Sequence, residues 1–469
     1  MNHKASVWWT FAITSAALFM VTLDNLVVTT AIPVIRKDLH AGIGGLEWTV
    51  NAYTLVFAVL LLTGAALGDR FGRRRMFAIG LSIFTVASAA AALAPTIGAL
   101  DAARALQGLG GAIVMPLTLT ILSAGVPENR RGVFLGAWGG ISGLAVAFGP
   151  LVGGAVVDGL SWHWVFWLNV PLGLVLVPLA LRRLDETKGP FGSVDIRGLV
   201  LASAGLLGIV WGLVRGNSVG WASGEIVGAL VSGAIVLGAF VWWERRAEHP
   251  MLPLGFFRDR TFTLANIASM LMSFGMFGSI FLLAQFFQTV QGYTPLGSGL
   301  RILPWTAMPM IVAPIAGALS DKIPAHRIIG TGLALQAVGL AWIAAVSAPT
   351  TPYIDLVLPF AISGMGMGLF FAPIANLVLS SVRSEQEGQV SGANNAIREL
   401  GGVFGVAILA SVFSHYGGYG TGTSFVNGMT PAVYAGAAVV AIGALAAFAI
   451  KRRPKGEELA LEPSFEIAA

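Results

Sequence analysis

The sequence predicts an all-α membrane protein with 14 transmembrane helices. Hydrophobic residues make up 56% of its 469 residues and charged residues only 11%, and the mean hydropathy is +0.79. This composition lies outside the range of soluble globular proteins. Apolar runs of about 20 residues, the length that a helix needs to cross a bilayer, recur throughout the chain. A β-barrel would instead show alternating segments of roughly ten residues, so the spans are predicted to be helical.

The predicted spans follow one another with mostly short connections. The first run lacks a small-residue cleavage signal, so we interpret it as a retained helix and not as a signal peptide. The fourteen runs lie near 11–35, 47–68, 77–95, 101–125, 132–157, 163–183, 197–214, 223–243, 263–288, 299–320, 327–347, 353–380, 390–413 and 430–450.

A sequence repeat divides these spans into two halves. "GAALGDRFGRRR" at 64–75 recurs in weakened form as "AGALSDKIPAHR" at 316–327, with Asp69 aligned to Asp321. Basic loops alone would explain the shared charges, but the shared Ala-Leu-x-Asp register favours duplication. Two parallel halves of this kind enclose a central site and alternate its access by rocking. The predicted units are a six-helix bundle at 1–183, two additional helices with linkers at 184–262, a second six-helix bundle at 263–451 and a cytoplasmic tail at 452–469.

The basic residues predict the orientation. With both termini placed in the cytoplasm, all but six of the 28 lysines and arginines lie on the cytoplasmic side, in agreement with the positive-inside rule. This asymmetry accounts for the net charge of +5 without a nucleic-acid partner. We expect a monomeric, multi-pass protein of the bacterial cell (inner) membrane. The exceptions are Arg36, Lys37, Arg215 and Arg301 in outer loops, and Arg104 and Arg398 within spans.

Several kinds of site are excluded. The chain has no cysteine, which excludes disulfides and thiolate metal sites. Its six histidines show no metal-ligand spacing, and neither a G-x-x-x-x-G-K-[ST] phosphate loop nor a G-x-S-x-G motif occurs. We therefore expect no enzyme activity, no metal and no cofactor. An ion gradient would be the energy source, if there is one.

A single carboxylate interrupts the first span. Asp24 lies near the middle of the apolar run 17–35, where an unpaired charge is costly. Such a group can bind and release a proton as access alternates, and a purely structural hydrogen bond is the alternative. Arg104 is its candidate partner, although a pair with Asp101 and an arginine that extends to the interface are competing interpretations. Gln107 lies on nearly the same helix face as Arg104.

A second set of polar residues is predicted to line the cavity. Glu399 in "NNAIRELGG" is either a second proton or cation site or part of a pair with Arg398 near the cytoplasmic end. Methionines and phenylalanines of the ninth span would suit a pliable apolar pocket, and ordinary packing explains them equally well. The further cavity candidates are Asn51, Tyr53, Gln285, Gln288 and Asn395.

Two glycine-containing motifs predict conformational elements. Gly72 in "GDRFGRRR" permits a tight turn, and the flanking charges can form a latch that breaks as the halves rock. Glycines and a proline in the fifth span permit close helix approach and a local bend, with general glycine enrichment of membrane helices as the alternative. The gating residues are Asp69, Arg70, Gly72 and Arg73, and those of the bend are Gly149, Pro150, Gly153 and Gly154.

Taken together, the motifs resemble those of the fourteen-span drug/proton antiporter branch of the major facilitator superfamily. The similarity covers essentially the whole chain, with departures at Leu26, Thr29, Ala65 and Ala145. The matching motifs are "LDNLVVTTAIP" (23–33), "WTVNAYTL" (48–55), "ALGDRFGRRR" (66–75), "RALQGLGGA" (104–112), "GPLVGG" (149–154) and "WHWVFWLNVPLG" (162–173).

The resemblance implies a major facilitator fold and a proton-coupled antiporter that exports lipophilic or cationic drugs or antibiotics. It implies proton or cation exchange at Asp24, coupling through Arg104, gating by the loop at 69–73 and an antiport-type helix bend at Gly149 and Pro150. The expected partners are a small-molecule substrate, protons and the lipid bilayer. The alternatives are an uptake carrier or uniporter for a small metabolite and a membrane sensor that transports nothing.

Overall fold

The computed structural model describes residues 7–188, 195–248, 250–252, 254–320, 322–379 and 387–450. Asp321 and the predicted tail 452–469 lie outside these ranges. The helices are α1 (Val7–Asp38), α2 (Ile43–Phe71), α3 (Arg73–Ala92), α4 (Ile97–Gly125), α5 (Glu128–Gly159), α6 (His163–Trp167), α7 (Asn169–Arg183), α8 (Ile196–Val219), α9 (Gly224–Glu244), α10 (Arg260–Gln285), α11 (Pro295–Thr306), α12 (Met308–Ser320), α13 (Ala325–Val346), α14 (Ile354–Leu379), α15 (Glu387–Tyr416) and α16 (Gly422–Phe448). A 3-10 turn at Leu254–Arg258 precedes α10, and a π-helical turn at Phe286–Val290 follows it.

The described helices confirm a multi-span, all-helical membrane protein. Twelve helical segments are long and apolar enough to cross a membrane, and the count is thirteen if Gly45–Leu61 and Thr63–Phe71, which meet at a 51° bend, form one span. The predicted count of fourteen is not confirmed. The remaining predicted run, 132–157, lies within α5.

Two predicted spans are each one span in the structure, interrupted by a single non-helical residue. The run 163–183 forms α6 and α7, which meet at Leu168, and the run 299–320 forms α11 and α12, which meet at Ala307. Pro309, near the start of α12, has no amide hydrogen with which to continue the ladder of α11. This missing hydrogen bond contributes to the second interruption.

Capping side chains determine where several helices begin. The Asp195 carboxylate accepts a hydrogen bond from the Gly198 amide at 2.8 Å before α8. The Thr294 hydroxyl accepts one from the Gly297 amide at 3.1 Å before α11, and Pro295 occupies the first turn. These are preferred residues for helix starts because they satisfy amides that lack a partner within the helix.

The helices form two packed halves and an appended pair. In the first half, α2 packs on α4, α3 on α4 and α7, and α1 on α5. In the second half, α10 packs on α15 and α16, and α13 on α14 and α16. The halves meet where α1 contacts α10, α2 contacts α15 and α5 contacts α11. The pair α8–α9 lies beside this interface, with α8 against α2 and α15.

The halves make close backbone contacts at the end of the molecule where α1 finishes and α2 begins, which we call the α1–α2 end. A Cβ atom added to Gly154 of α5 would lie 2.4 Å from the Pro295 carbonyl oxygen, and one added to Gly299 of α11 would lie 2.2 Å from the Pro150 carbonyl oxygen. Only glycine fits such backbone contacts. The opposite end, where α2 finishes at Phe71, is called the α2–α3 end.

Candidate functional site

Asp24 lies in a buried polar cluster formed by four helices of the first half, α1, α3, α4 and α7. Its side chain and that of Arg104 are fully buried, and the Arg104 Nη1 atom donates to Asp24 Oδ2 at 2.5 Å. Asp24 Oδ1 accepts hydrogen bonds from Gln107 Nε2 at 2.8 Å and from Asn169 Nδ2 at 2.7 Å. One cation and two amides thus compensate the carboxylate, which is the condition for burying a charge.

Further contacts hold the Arg104 guanidinium in place. Nε donates to the Thr49 carbonyl at 3.2 Å, and Nη1 also donates to Gln107 Oε1 at 2.8 Å. The guanidinium carbon lies 4.2 Å from the centre of the Tyr53 ring, within the range of a cation–π interaction. Asp101 instead accepts from the Thr49 hydroxyl at 2.9 Å. Of the competing interpretations of Arg104, the structure shows the buried pair with Asp24.

Asn169 and Ser88 complete the cluster and were missed by sequence reasoning. The Ser88 hydroxyl accepts from Asn169 Nδ2 at 3.1 Å and from Gln107 Nε2 at 3.3 Å, and it donates to the Phe166 carbonyl at 2.8 Å. Asn169 is the first residue of α7. The sequence feature that could have identified Asn169 is a single amide side chain inside the apolar stretch "WLNVPLG".

Glycines in α4 allow this helix to pack closely against its neighbours around the cluster. A Cβ atom added to Gly108 would lie 2.4 Å from the Tyr53 carbonyl oxygen, and one added to Gly110 would lie 2.5 Å from the Phe84 amide nitrogen. Helix α4 therefore contacts the backbones of α2 and α3 directly. This close packing allows Arg104 to reach α1 from the neighbouring helix.

Glu399 lies on α15 and is not hydrogen-bonded to the Asp24 cluster. It is buried, and Arg398 Nη2 donates to its Oε1 atom at a long 3.4 Å. Its Oε2 atom has no partner among the described residues. Glu399 interacts electrostatically with Tyr53 across the interface between the halves. Glu399 thus contacts Arg398, the pair considered from the sequence, at a distance that makes the contact weak. Asn395, another cavity candidate, lies one turn earlier on the same helix and is partly buried.

The predicted gating loop is latched within the first half. Gly72 adopts a φ of +107°, in the region that favours glycine, and Arg73 Nη2 lies 2.9 Å from Asp69 Oδ1. The Arg74 amide donates to Glu186 Oε1 at 3.0 Å, and the Arg73 amide donates to the Thr187 carbonyl at 2.9 Å. The segment after α7 is thus attached to this loop, a contact that the sequence did not reveal.

Arg70 makes no ion pair among the described residues. Its guanidinium carbon lies 5.2 Å from the centre of the Phe71 ring.

The glycines of α5 serve close packing on both sides of that helix. Added Cβ atoms at Gly149 and Gly153 would lie 2.6 Å from the Leu26 side chain and 2.7 Å from the Val27 carbonyl oxygen of α1. Gly154 faces α11, as described above. Helix α5 continues through Pro150, so the sequence motif joins α1 to α5 and α5 to the second half.

The remaining cavity candidates lie between the halves or beside the cluster. Tyr53 donates its hydroxyl to the Val21 carbonyl at 3.3 Å. Gln288 Nε2 donates to the Thr30 carbonyl at 2.9 Å and so connects α1 to the second half. Gln285 and Asn51 are both fully buried. Within the described ranges, no group of three or more His, Asp or Glu side chains is placed to hold a metal ion.

Comparison with known proteins agrees with this architecture. Residues 14–406 match the family model described as Major Facilitator Superfamily. Over 407 residues the chain is 35% identical to the multidrug resistance protein Stp of Mycobacterium tuberculosis, covering 86% of this chain and 75% of that protein. It is 32% identical over 404 residues to the tetracenomycin C resistance and export protein of Streptomyces glaucescens, with coverage of 86% and 75%.

The fold is also similar to that of a solved transporter. A POT family transporter in complex with a thioalcohol-conjugated peptide superposes with a TM-score of 0.69 over 94% of both chains, at 16% sequence identity. At this identity the similarity concerns the fold alone. The family match and the relatives matched over three quarters of their length lead to one conclusion: the chain belongs to the Major Facilitator Superfamily and is a multi-pass membrane transporter, not an enzyme.

Proposed function

We propose that the protein is a proton-coupled antiporter that exports lipophilic or cationic drugs or antibiotics across the bacterial cell membrane. The observation that carries the proposal is the buried pair of Asp24 and Arg104, completed by Gln107 and Asn169. An ionisable pair at this depth in a transporter is a candidate for ion coupling. The names of the relatives, which refer to multidrug resistance and to antibiotic export, support the substrate class.

The geometry of the pair suggests how proton binding moves the protein. A proton on Asp24 removes the charge that compensates Arg104, and an uncompensated guanidinium cannot stay buried at low cost. Because Asp24, Arg104 and Asn169 lie on α1, α4 and α7, relief of that cost shifts these helices relative to one another. Proton and cationic substrate compete for one carboxylate, so exchange follows from linkage.

The α1–α2 end is assigned to the outside of the cell. Both termini then lie in the cytoplasm, and the positive-inside rule supports this choice. The halves are joined at this end by the contact of Gln288 with Thr30 and by the packing of Gly154 on Pro295. The arrangement described here therefore corresponds to a carrier closed to the outside, with the loop Asp69–Arg73 on the cytoplasmic side.

We assign the protein to the fourteen-span branch. With the bent pair counted as one span, twelve helices and that pair give thirteen spans, and in this proposal α5, which has 32 residues, is the fourteenth. Helices α8 and α9 are then the two additional spans between bundles at 1–183 and 263–451. Their packing as a separate pair beside the interface supports this division.

The test is substrate-driven proton movement in proteoliposomes. Vesicles loaded with acid and a pH-sensitive dye receive a lipophilic cation such as ethidium outside, with wild type and Asp24→Asn compared side by side. We expect proton release that requires both the cation and Asp24. Equal proton release by Asp24→Asn would contradict the role of the carboxylate. Substrate movement without protons would favour a uniporter.

A further inference from the structure

A further buried carboxyl group lies at the α1–α2 end and is not hydrogen-bonded to the Asp24 cluster. Glu47 is near the start of α2 and only 2% exposed, and its Oε2 atom has no hydrogen-bond partner among the described residues. Asn51 lies one turn later on the same helix face and is fully buried, with both polar side-chain atoms unpartnered. Three such atoms on one helix face are unusual, since buried polar groups are nearly always hydrogen-bonded.

The second half contributes Tyr419 to the surroundings of Glu47. Tyr419 lies in the connection between α15 and α16 and interacts electrostatically with Glu47. Its hydroxyl donates to Gln285 Oε1 of α10. Burial raises the pKa of Tyr419 above its ordinary value, so the phenol keeps its proton and remains a donor. The Arg36 guanidinium carbon lies 3.5 Å from the centre of the Tyr419 ring.

No described cation compensates Glu47. Within the described part of the chain, no basic nitrogen lies within 4.0 Å of its carboxyl oxygens. The titratable and charged groups on the elements around α2 are engaged elsewhere or lie at the surface. Three of the arginines are in ion pairs, namely Arg104 with Asp24, Arg215 of α8 with Glu225 and Arg398 of α15 with Glu399. Asp101 accepts a hydrogen bond from Thr49, and Arg36 stacks on Tyr419. The exposed groups are Lys37, Asp38, His40 and His415.

An ionised carboxylate is therefore costly at Glu47 in this arrangement, whereas the neutral acid is tolerated. A cavity of about 420 Å³ at the α1–α2 end is lined by Arg36, and the same side chain contacts Tyr419. Separation of the α15–α16 connection from the first half would open this end, and the Glu47 carboxyl with it, to water.

We propose that Glu47 is a second proton-binding site, distinct from Asp24 and specific to the closed α1–α2 end. One proton from solution binds the carboxylate when α1, α2 and the α15–α16 connection pack together, and it returns to solution when they separate. The proposal rests on the proton coupling inferred above. It goes further because it makes closure of this end, and not only substrate exchange, depend on pH.

The absence of cysteine makes the test direct. Spin labels are attached to a Lys37→Cys and Thr423→Cys pair, both exposed sites on either side of the interface. Electron paramagnetic resonance then measures the fraction of molecules with the short inter-label distance at a series of pH values. The measurement is made in the Asp24→Asn, Arg104→Gln background, so that Asp24 does not titrate and Arg104 is not left as an uncompensated buried charge.

We expect the closed fraction to fall as the pH rises, and Glu47→Gln to remain closed at every pH. Glu47→Asp, which retains an ionisable group, is expected to keep the pH dependence, and Glu225→Gln at the exposed end of α9 is the matched control that changes nothing. An unchanged pH dependence in Glu47→Gln would overturn the proposal. This readout needs neither substrate nor proton flux, so it fails or succeeds independently of the proteoliposome assay.

Discussion

Asp24 and Arg104 lie 80 positions apart in the chain and form a fully buried ion pair, with 2.5 Å between Oδ2 and Nη1. Each is the main compensation for the charge of the other. Loss of one partner therefore leaves an uncompensated charge inside the first half, whereas loss of both removes the problem. This asymmetry underlies the coupling proposed above, and it can be measured.

The losses of unfolding free energy in the two single variants of the pair are expected to add up to more than the loss in the double variant. Asp24→Asn and Arg104→Gln should each lower the free energy of unfolding by about 3–5 kcal/mol, because a charge remains buried without its partner. Asp24→Asn combined with Arg104→Gln should cost clearly less than the sum. Unfolding in detergent, analysed as a double-mutant cycle, measures the difference. Additive losses would show that the two side chains act independently.

Asn169 is expected to be needed for transport because it supplies one of the two amide donors to Asp24 Oδ1. A hydrogen bond to a charged group contributes about 1.5–3 kcal/mol. Asn169→Leu should therefore slow substrate-driven proton movement about tenfold or more. Asn427→Leu, an exposed position on α16, is the control. Equal rates in both variants would leave Asn169 without a role in coupling.

Gly154 is expected to be essential for closure at the α1–α2 end. The methyl group of Gly154→Ala would lie 2.4 Å from a backbone oxygen of α11, which cannot move aside without separating the halves. Spin labels at Lys37→Cys and Thr423→Cys should report a longer distance in this variant. Gly98→Ala, where an added Cβ atom meets nothing within 4 Å, should leave the distance unchanged. A short distance in both would mean that the α5–α11 contact does not hold this end closed.

Gly72 is expected to be required for the gating loop through two separate effects. Gly72→Ala introduces a side chain at a φ of +107° and places its methyl group 2.7 Å from the Glu186 carboxylate. Gly220→Ala has a similar φ of +100° but meets nothing within 4 Å, so it measures the backbone strain alone. The strain should cost about 1–3 kcal/mol at either position.

Transport and membrane abundance, measured together, distinguish these two effects. We expect both glycine variants to reach the membrane and only Gly72→Ala to lose transport, because only that substitution displaces the segment after α7 from the loop. Loss of transport in both would mean that backbone strain alone accounts for the effect.

The sequence predicts membrane spans and isolated charges within them, but it does not predict contacts between distant helices. Burial of apolar runs in lipid determines that the chain spans the membrane repeatedly, and the depth of Asp24 and Arg104 identifies them without a structure. The single-residue interruptions of the spans 163–183 and 299–320 were missed because an apolar run shows how long a span is, not whether its helix is continuous. The roles of Asn169, Ser88 and Glu186 were missed because each side chain is hydrogen-bonded to a residue that lies far away in the sequence.

The sequence by itself determined the helical membrane architecture and identified the candidate ionisable residues, since both depend on composition and local pattern. The tertiary structure alone decided that Arg104 pairs with Asp24 and not with Asp101, that Asn169 completes the cluster, and that Glu47 is buried. The reason is that a buried charge is stabilised by groups brought near it in space. Which groups these are depends on how closely glycine-containing helices pack, a distance that no single segment of the sequence specifies.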